Sequence, residues 1–96
     1  MCGRYVLAGD PEDYVEFFDV DRVTTESLDP NYNVAPTDPV YAVAEWDGER
    51  LLGTMRWGFI PHWAKDRKGI QINARSETVA TKAMFRDSFR RKRCLI

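Results

Sequence analysis

Ninety-six residues, 44% of them apolar and 12% aromatic, bound the chain to one small globular unit with no room for a second domain. Charged residues make up 30%, and no apolar stretch approaches the roughly 20 residues of a membrane-spanning helix, which excludes a helical transmembrane protein. The net charge of -1 hides an asymmetry: residues 1–49 hold 12 acidic and 2 basic side chains, whereas residues 50–96 hold 3 acidic and 12 basic.

In chain order, Gly3 to Ala8 carries Tyr5, Val6 and Leu7 and reads as a short strand, closed by Gly9-Asp10-Pro11. Asp10 suits a helix N-cap and Pro11 the first helical position. Glu12 and Asp13 then meet the positive helix end, so a helix is predicted to about Asp19. Tyr14, Val15, Phe17 and Phe18 form its broad apolar stripe and are read as core. Asp19 to Asn33 is acidic and turn-rich, a long loop. Pro39 to Trp46, Asp47-Gly48 and Arg50 to Trp57 spell a β-hairpin around a positive-φ dipeptide. Alternation puts Leu51, Gly53, Met55 and Trp57 on one face of its second strand and Arg50, Thr54 and Arg56 on the other. Gly58 to Gly69 is a structured loop. Beyond Thr78 the pattern turns helical, with Phe85 and Phe89 on one stripe and Arg86, Arg90 and Arg93 on another.

Cys94-Leu95-Ile96 begins another strand, with nothing after it to pair. The expected fold is therefore α+β, a mainly antiparallel, barrel-like sheet with short flanking helices. Residues 1–96 are read as the N-terminal portion of a single domain, and its unpaired edges lead one to expect self-association.

Lys82 to Arg93 concentrates six positive charges against Asp87. Two readings stay open: a footprint for phosphates, or a solvated face neutralised by the acidic half. Two cysteines are too few for a disulfide framework, and no Cys/His spacing suits a metal. Cys94 is read as a small hydrophobe buried on a strand. His62 is read as an exposed loop residue. The N-terminus carries no secretory leader, so the chain is expected in the cytoplasm.

Cys2 follows the initiator Met directly, and removal of Met1 would leave it with a free α-amine. An N-terminal cysteine is a 1,2-aminothiol, whose amine and thiol in model peptides titrate at about 7.7–8.0 and about 8.5. Such a pair condenses with an aldehyde to an imine, and the thiol then closes on the imine carbon to a five-membered thiazolidine.

Four strings, Met1-Cys2-Gly3-Arg4-Tyr5, Asn31-Tyr32-Asn33-Val34-Ala35-Pro36-Thr37, Arg56-Trp57-Gly58-Phe59-Ile60-Pro61-His62-Trp63 and Ile72-Asn73-Ala74-Arg75-Ser76-Glu77-Thr78, together resemble the SRAP family. These are the SOS response-associated peptidases, or abasic-site processing proteins. The likeness continues from Phe85 to Ile96. It implies that Cys2 captures the open-chain aldehyde of an abasic site in single-stranded DNA as a thiazolidine crosslink. By the same resemblance Asn73 hydrogen-bonds beside the reacting amine and sugar, Arg75 grips a phosphate and Arg4 supplies a second basic contact. Arg86 and Arg90 extend the DNA-binding surface. Glu77 orders Arg75 or caps the next helix. Trp57, Phe59 and Trp63 are read as packing residues rather than base-stacking ones. The family's later Glu and His, which handle protons, do not lie within these residues.

The expected partner is thus single-stranded DNA with abasic sites, with no cofactor, metal or membrane, and the expected location is the cytoplasm, on the nucleoid. Two other readings compete. One is a cysteine peptidase with an N-terminal nucleophile; the other is a non-covalent single-strand-binding module in which Cys2 is dispensable.

Overall fold

The computed structural model describes residues 2–96. Its central element is the hairpin of two eight-residue strands, which we label β4 (Pro39–Trp46) and β5 (Glu49–Arg56). They pair antiparallel in unbroken register from Pro39↔Arg56 to Trp46↔Glu49. Asp47 at φ 51° and Gly48 at φ 79° make the turn, the left-handed pair that matches the twist of the flanking strands.

β1 (Tyr5–Leu7) pairs antiparallel with β3 (Asn31–Val34) in a separate two-stranded sheet. A two-residue strand, β2 (Arg22–Val23), runs parallel to β5 and completes a three-stranded sheet in the order β2-β5-β4. These pairings break the long loop expected from Asp19 to Asn33. Val23, Thr24 and Thr25 suit an extended backbone, but the run is too short to announce a strand by itself. The edge of β5 recruits it, through Asp21 N–H to the Arg50 carbonyl at 2.8 Å and Thr24 N–H to the Leu52 carbonyl at 2.9 Å. The fold is α+β with two sheets, and no closed barrel forms among the described residues.

α1 (Pro11–Phe18) starts as its composition dictates. Asp10 is extended at the cap, Pro11 opens the helix, and the Asp13 carboxylate accepts from the Asp10 backbone N–H at 3.3 Å. Pro11, Tyr14, Val15 and Phe18 follow the i, i+3, i+4, i+7 spacing and face inward. Phe17 falls outside that stripe, and the expectation that it is core is corrected: it is 80% exposed, packed edge-on against Phe18.

The hairpin has two unlike faces. On one, Tyr41, Val43 and Leu52 are buried, with Leu52 at 0% exposure, and Leu7, Tyr14, Val15, Phe18, Val20 and Leu28 pack onto them. This core face is the one that Arg50, Thr54 and Arg56 share by alternation. Arg50 stays at its rim, donating to the Phe18 carbonyl at 2.7 Å. On the opposite face Val40 is buried, while its cross-strand partner Met55 is 44% exposed.

The helix expected beyond Thr78 is only partly continuous. Turns bonded from Val79 to Arg75 and from Lys82 to Thr78 lead into a regular helix, α2, only at Arg86–Arg91. The Thr81 hydroxyl donates to the Thr78 carbonyl at 3.3 Å, a local bond that competes with the helical ladder. Leu95 bridges Val43 through two backbone bonds of 2.9 and 2.8 Å, so the strand-like ending does lie beside β4. Cys94 beside it is exposed, against the expectation of burial, because it borders an open groove rather than the closed core.

Leu52→Ala should cost about 3 kcal/mol and Phe17→Ser less than about 0.5 kcal/mol, read as shifts in urea midpoint; equal effects would contradict this assignment of the core.

Candidate functional site

The open face of the hairpin floors a groove of about 660 Å³, with Val40, Met55, Trp57, Phe59, Phe85 and Phe89 among its lining residues. Cys2 and Asn73 both line it. They come from opposite ends of the sequence, and the Asn73 side-chain amide donates to the Cys2 carbonyl oxygen at 2.8 Å.

Local structure explains how Asn73 reaches that position. Trp57 follows β5 and is tied by its backbone to the segment after β3: Thr37 N–H donates to the Trp57 carbonyl at 2.8 Å, and Trp57 N–H donates to the Asp38 carbonyl at 3.0 Å. Gly58 then turns the chain at φ 153°, and Phe59 pairs with Gln71 through backbone bonds of 2.8 and 2.9 Å. The φ favours glycine there, and a Cβ would also press on the Ile70 side chain at 3.1 Å. That bridge returns the chain to the groove at Ile72 and Asn73. On the other side, β1 begins at Tyr5, and its pairing with Val34 carries Cys2 to the same place.

Of the residues singled out in the sequence, Cys2 and Asn73 are therefore brought together. Arg4, Arg75, Glu77, Arg86 and Arg90 are all exposed and lie outside the groove lining. Glu77 takes part in neither ion pair found among the described residues, and Phe85 stands at the cap position of α2. His62 is exposed and is not part of the groove. Trp57 is half-buried and Phe59 packs on Phe85 with ring centroids 5.3 Å apart, as packing residues do. Trp63 is 55% exposed and departs from that reading.

The sequence reasoning missed three groove-lining cations, Arg56, Lys92 and Arg93. The last two belong to the basic block already noted, and Arg93 lies over the Phe89 ring at 5.5 Å. Arg56 could not be read from strand alternation, which puts it on the face opposite the groove floor; it reaches the lining from the last position of β5.

Both ion pairs among the described residues, Arg22–Glu49 and Arg50–Glu45, lie away from the Lys82–Arg93 block. The acidic half does not neutralise that block by direct contact. No group of three or more His, Cys, Asp or Glu side chains is placed to hold a metal ion among the described residues. Among the described residues no helix is long and apolar enough to cross a membrane.

Comparison with known proteins decides the family. The model of the SOS response associated peptidase (SRAP) family matches residues 1–96. The chain belongs to the SRAP family. It is 42% identical over 99 residues to the abasic site processing protein YoqW of Bacillus subtilis (strain 168), covering all of this chain and 44% of the relative. It is 35% identical over 99 residues to the abasic site processing protein YedK of Escherichia coli (strain K12), covering 99% of this chain and 44% of that protein. With the abasic site processing protein HMCES of Xenopus tropicalis it shares 31% over 86 residues, 75% of this chain and 26% of the other. The chain thus spans less than half the length of the curated relatives it matches.

Two groups near this SRAP site have perturbed acidity. Desolvation pushes the Cys94 thiol up. Burial, and secondarily Tyr14, pushes the Tyr5 phenol up. The Tyr5 hydroxyl is buried without a hydrogen-bond partner among the described residues. A raised native pKa means that the unfolded chain releases this proton first as pH climbs past about 10, so Tyr5 lowers stability there. Tyr5→Phe should therefore raise stability at neutral pH by up to about 1 kcal/mol and flatten its decline above pH about 10, measured by chemical denaturation. An unchanged alkaline decline would contradict this.

Proposed function

We propose that the chain is the N-terminal part of a sensor that captures abasic sites in single-stranded DNA covalently through Cys2. The observation that carries the reading is the 2.8 Å hydrogen bond from Asn73 to the Cys2 carbonyl. It holds the backbone of a candidate 1,2-aminothiol at the mouth of an open groove, with Cys2 itself exposed.

With Met1 removed, the Cys2 amine adds to the aldehyde carbon of the ring-opened sugar, and loss of one water gives an imine. The Cys2 sulfur then adds to the imine carbon and the ring nitrogen takes up the thiol proton, so the adduct equals protein plus DNA minus one water. Asn73 restrains the Cys2 backbone, which keeps amine and thiol within reach of one carbon. Arg4, Arg75, Arg86 and Arg90 offer guanidinium forks to the strand's phosphates, joined by the groove-side Arg56, Lys92 and Arg93. The names of the relatives support the lesion as substrate.

The same reading makes the open groove the seat of the remaining length that the relatives carry. That segment would extend the sheets toward a closed barrel and supply the acid–base groups absent here. Nothing in the geometry favours the peptidase reading, since His62 stands outside the groove that Cys2 lines.

Mixed with a single-stranded abasic oligonucleotide, the Met1-processed chain should give an adduct one water lighter than the sum by intact mass. Cys2→Ser should lose the stable ring, and Asn73→Ala should slow its formation about tenfold. An undiminished Cys2→Ser adduct would overturn the covalent reading and leave the non-covalent module. Separately, the affinity for unmodified single strand should fall steeply with salt, and Arg75→Ala should reduce that slope by about one phosphate contact, measured by fluorescence anisotropy.

A further inference from the structure

We propose that Trp57 is a positioning residue for Cys2, acting through the Ile72–Asn73 peptide. This rests on the reading of Cys2 as the reacting group. The Trp57 indole N–H donates to the Ile72 carbonyl at 2.9 Å. That oxygen and the Asn73 nitrogen belong to one planar amide, so fixing the carbonyl fixes the plane from which the Asn73 Cα departs. Only the φ of Asn73 and its two side-chain torsions then separate the anchor from the amide that holds the Cys2 carbonyl.

Residues 72–75 have no regular secondary structure. Backbone pairing ends at Gln71 on one side and resumes on the other where Val79 bonds back to the Arg75 carbonyl. Among the described residues, the hydrogen bonds that tie Ile72 and Asn73 to the rest of the fold are the Trp57 indole bond and the Asn73–Cys2 bond itself. Without the first, the second hangs on a segment held only at its ends, by the Gln71 bridge and the turn at Arg75.

Trp57 is itself held on every side that matters. Its backbone is bonded to Thr37 and Asp38, and the Tyr5 ring packs edge-on against the indole with centroids 5.8 Å apart at 64°. Tyr5 stands three residues after Cys2, at the start of β1. The contacts close a ring, from Cys2 along the chain to Tyr5, across to Trp57, on to Ile72 and Asn73, and back to Cys2. The indole thus sets both partners of the Asn73–Cys2 contact relative to one another.

Trp57→Phe keeps the ring and the backbone bonds and deletes the N–H. In the 96-residue chain with Met1 removed, the Asn73 side-chain amide signals, assigned by their loss in Asn73→Ala, should move toward those of a free asparagine. The rate of thiazolidine formation with a small aldehyde such as glyoxylate should fall about three- to tenfold, the effect of losing one hydrogen bond. In an Asn73→Ala background, Trp57→Phe should change that rate no further. A folded Trp57→Phe chain with unmoved Asn73 signals would overturn the proposal, as would an equal rate loss in both backgrounds. If Trp57→Phe fails to fold, the indole N–H of the unaltered chain decides: protection from exchange, with a cross-peak to the Ile72–Asn73 segment, supports the proposal, and fast exchange overturns it. The Asn73 signals report on the anchor even if Cys2 proves unreactive toward abasic DNA, so the two readings fail separately.

Discussion

The register of the β4–β5 hairpin is the constraint on which the rest of this structure depends. Pairing Val43 with Leu52 sends both side chains to the face that α1 covers, and the same alternation sends Val40 and Met55 to the other side. A slip of one residue would exchange the two faces and leave Leu52 in water. One face thus becomes a closed core and the other the floor of an open groove. The groove is where the two ends of the site meet, because Trp57 leaves the end of β5 directly into it.

The contact between Asn73 and Cys2 spans 71 positions in the chain. Each partner is delivered by a different device, Cys2 by the pairing of β1 with β3 and Asn73 by the Phe59–Gln71 bridge beyond Gly58. Neither residue lies in an extended or helical element, so their approach rests on a few directed hydrogen bonds rather than on burial. A 1,2-aminothiol needs that arrangement: enough exposure to meet an aldehyde, and enough restraint that amine and sulfur reach the same carbon.

What was legible in the sequence was local. Asp47-Gly48 between two apolar runs announced the hairpin, and Asp10-Pro11 followed by two acids announced the start of α1. β2 was invisible, because Arg22 and Val23 become a strand only when β5 offers a free edge. Phe17 misled, since a phenylalanine next to Phe18 looks like core until the helical angle is counted. The turns from Thr78 to Phe85 were read as helix because the Phe and Arg stripes just beyond them have the right period, while the backbone there mixes three- and four-residue bonds onto the Thr78 and Lys82 carbonyls instead of a continuous ladder. For the site, motif resemblance singled out Cys2 and Asn73, but no pattern in the residues revealed that the amide would grip the Cys2 carbonyl. Arg56 was seen as one polar residue among several on a strand; it lines the groove because β5 ends there, against the side that alternation alone assigns it.

The charge asymmetry acquires a spatial meaning in this light. The basic block runs from the turns after Asn73 through α2, and its residues Lys92 and Arg93 reach the groove itself. Among the described residues its cations form no ion pair with the acidic half, which under the proposed function leaves them to the phosphates of the bound strand. Under the proposed function, the relatives' additional length would enclose a site whose reacting cysteine and cations lie in these residues.

The central claim is that both heteroatoms of Cys2 bond to one carbon of the lesion. It is tested most directly by carbon-13 NMR of the adduct formed with an oligonucleotide labelled at the abasic C1′. The account predicts a saturated carbon coupled to both the nitrogen and the β-methylene of Cys2 through sulfur. An unsaturated imine carbon, or a carbon bonded to a lysine nitrogen, would contradict it.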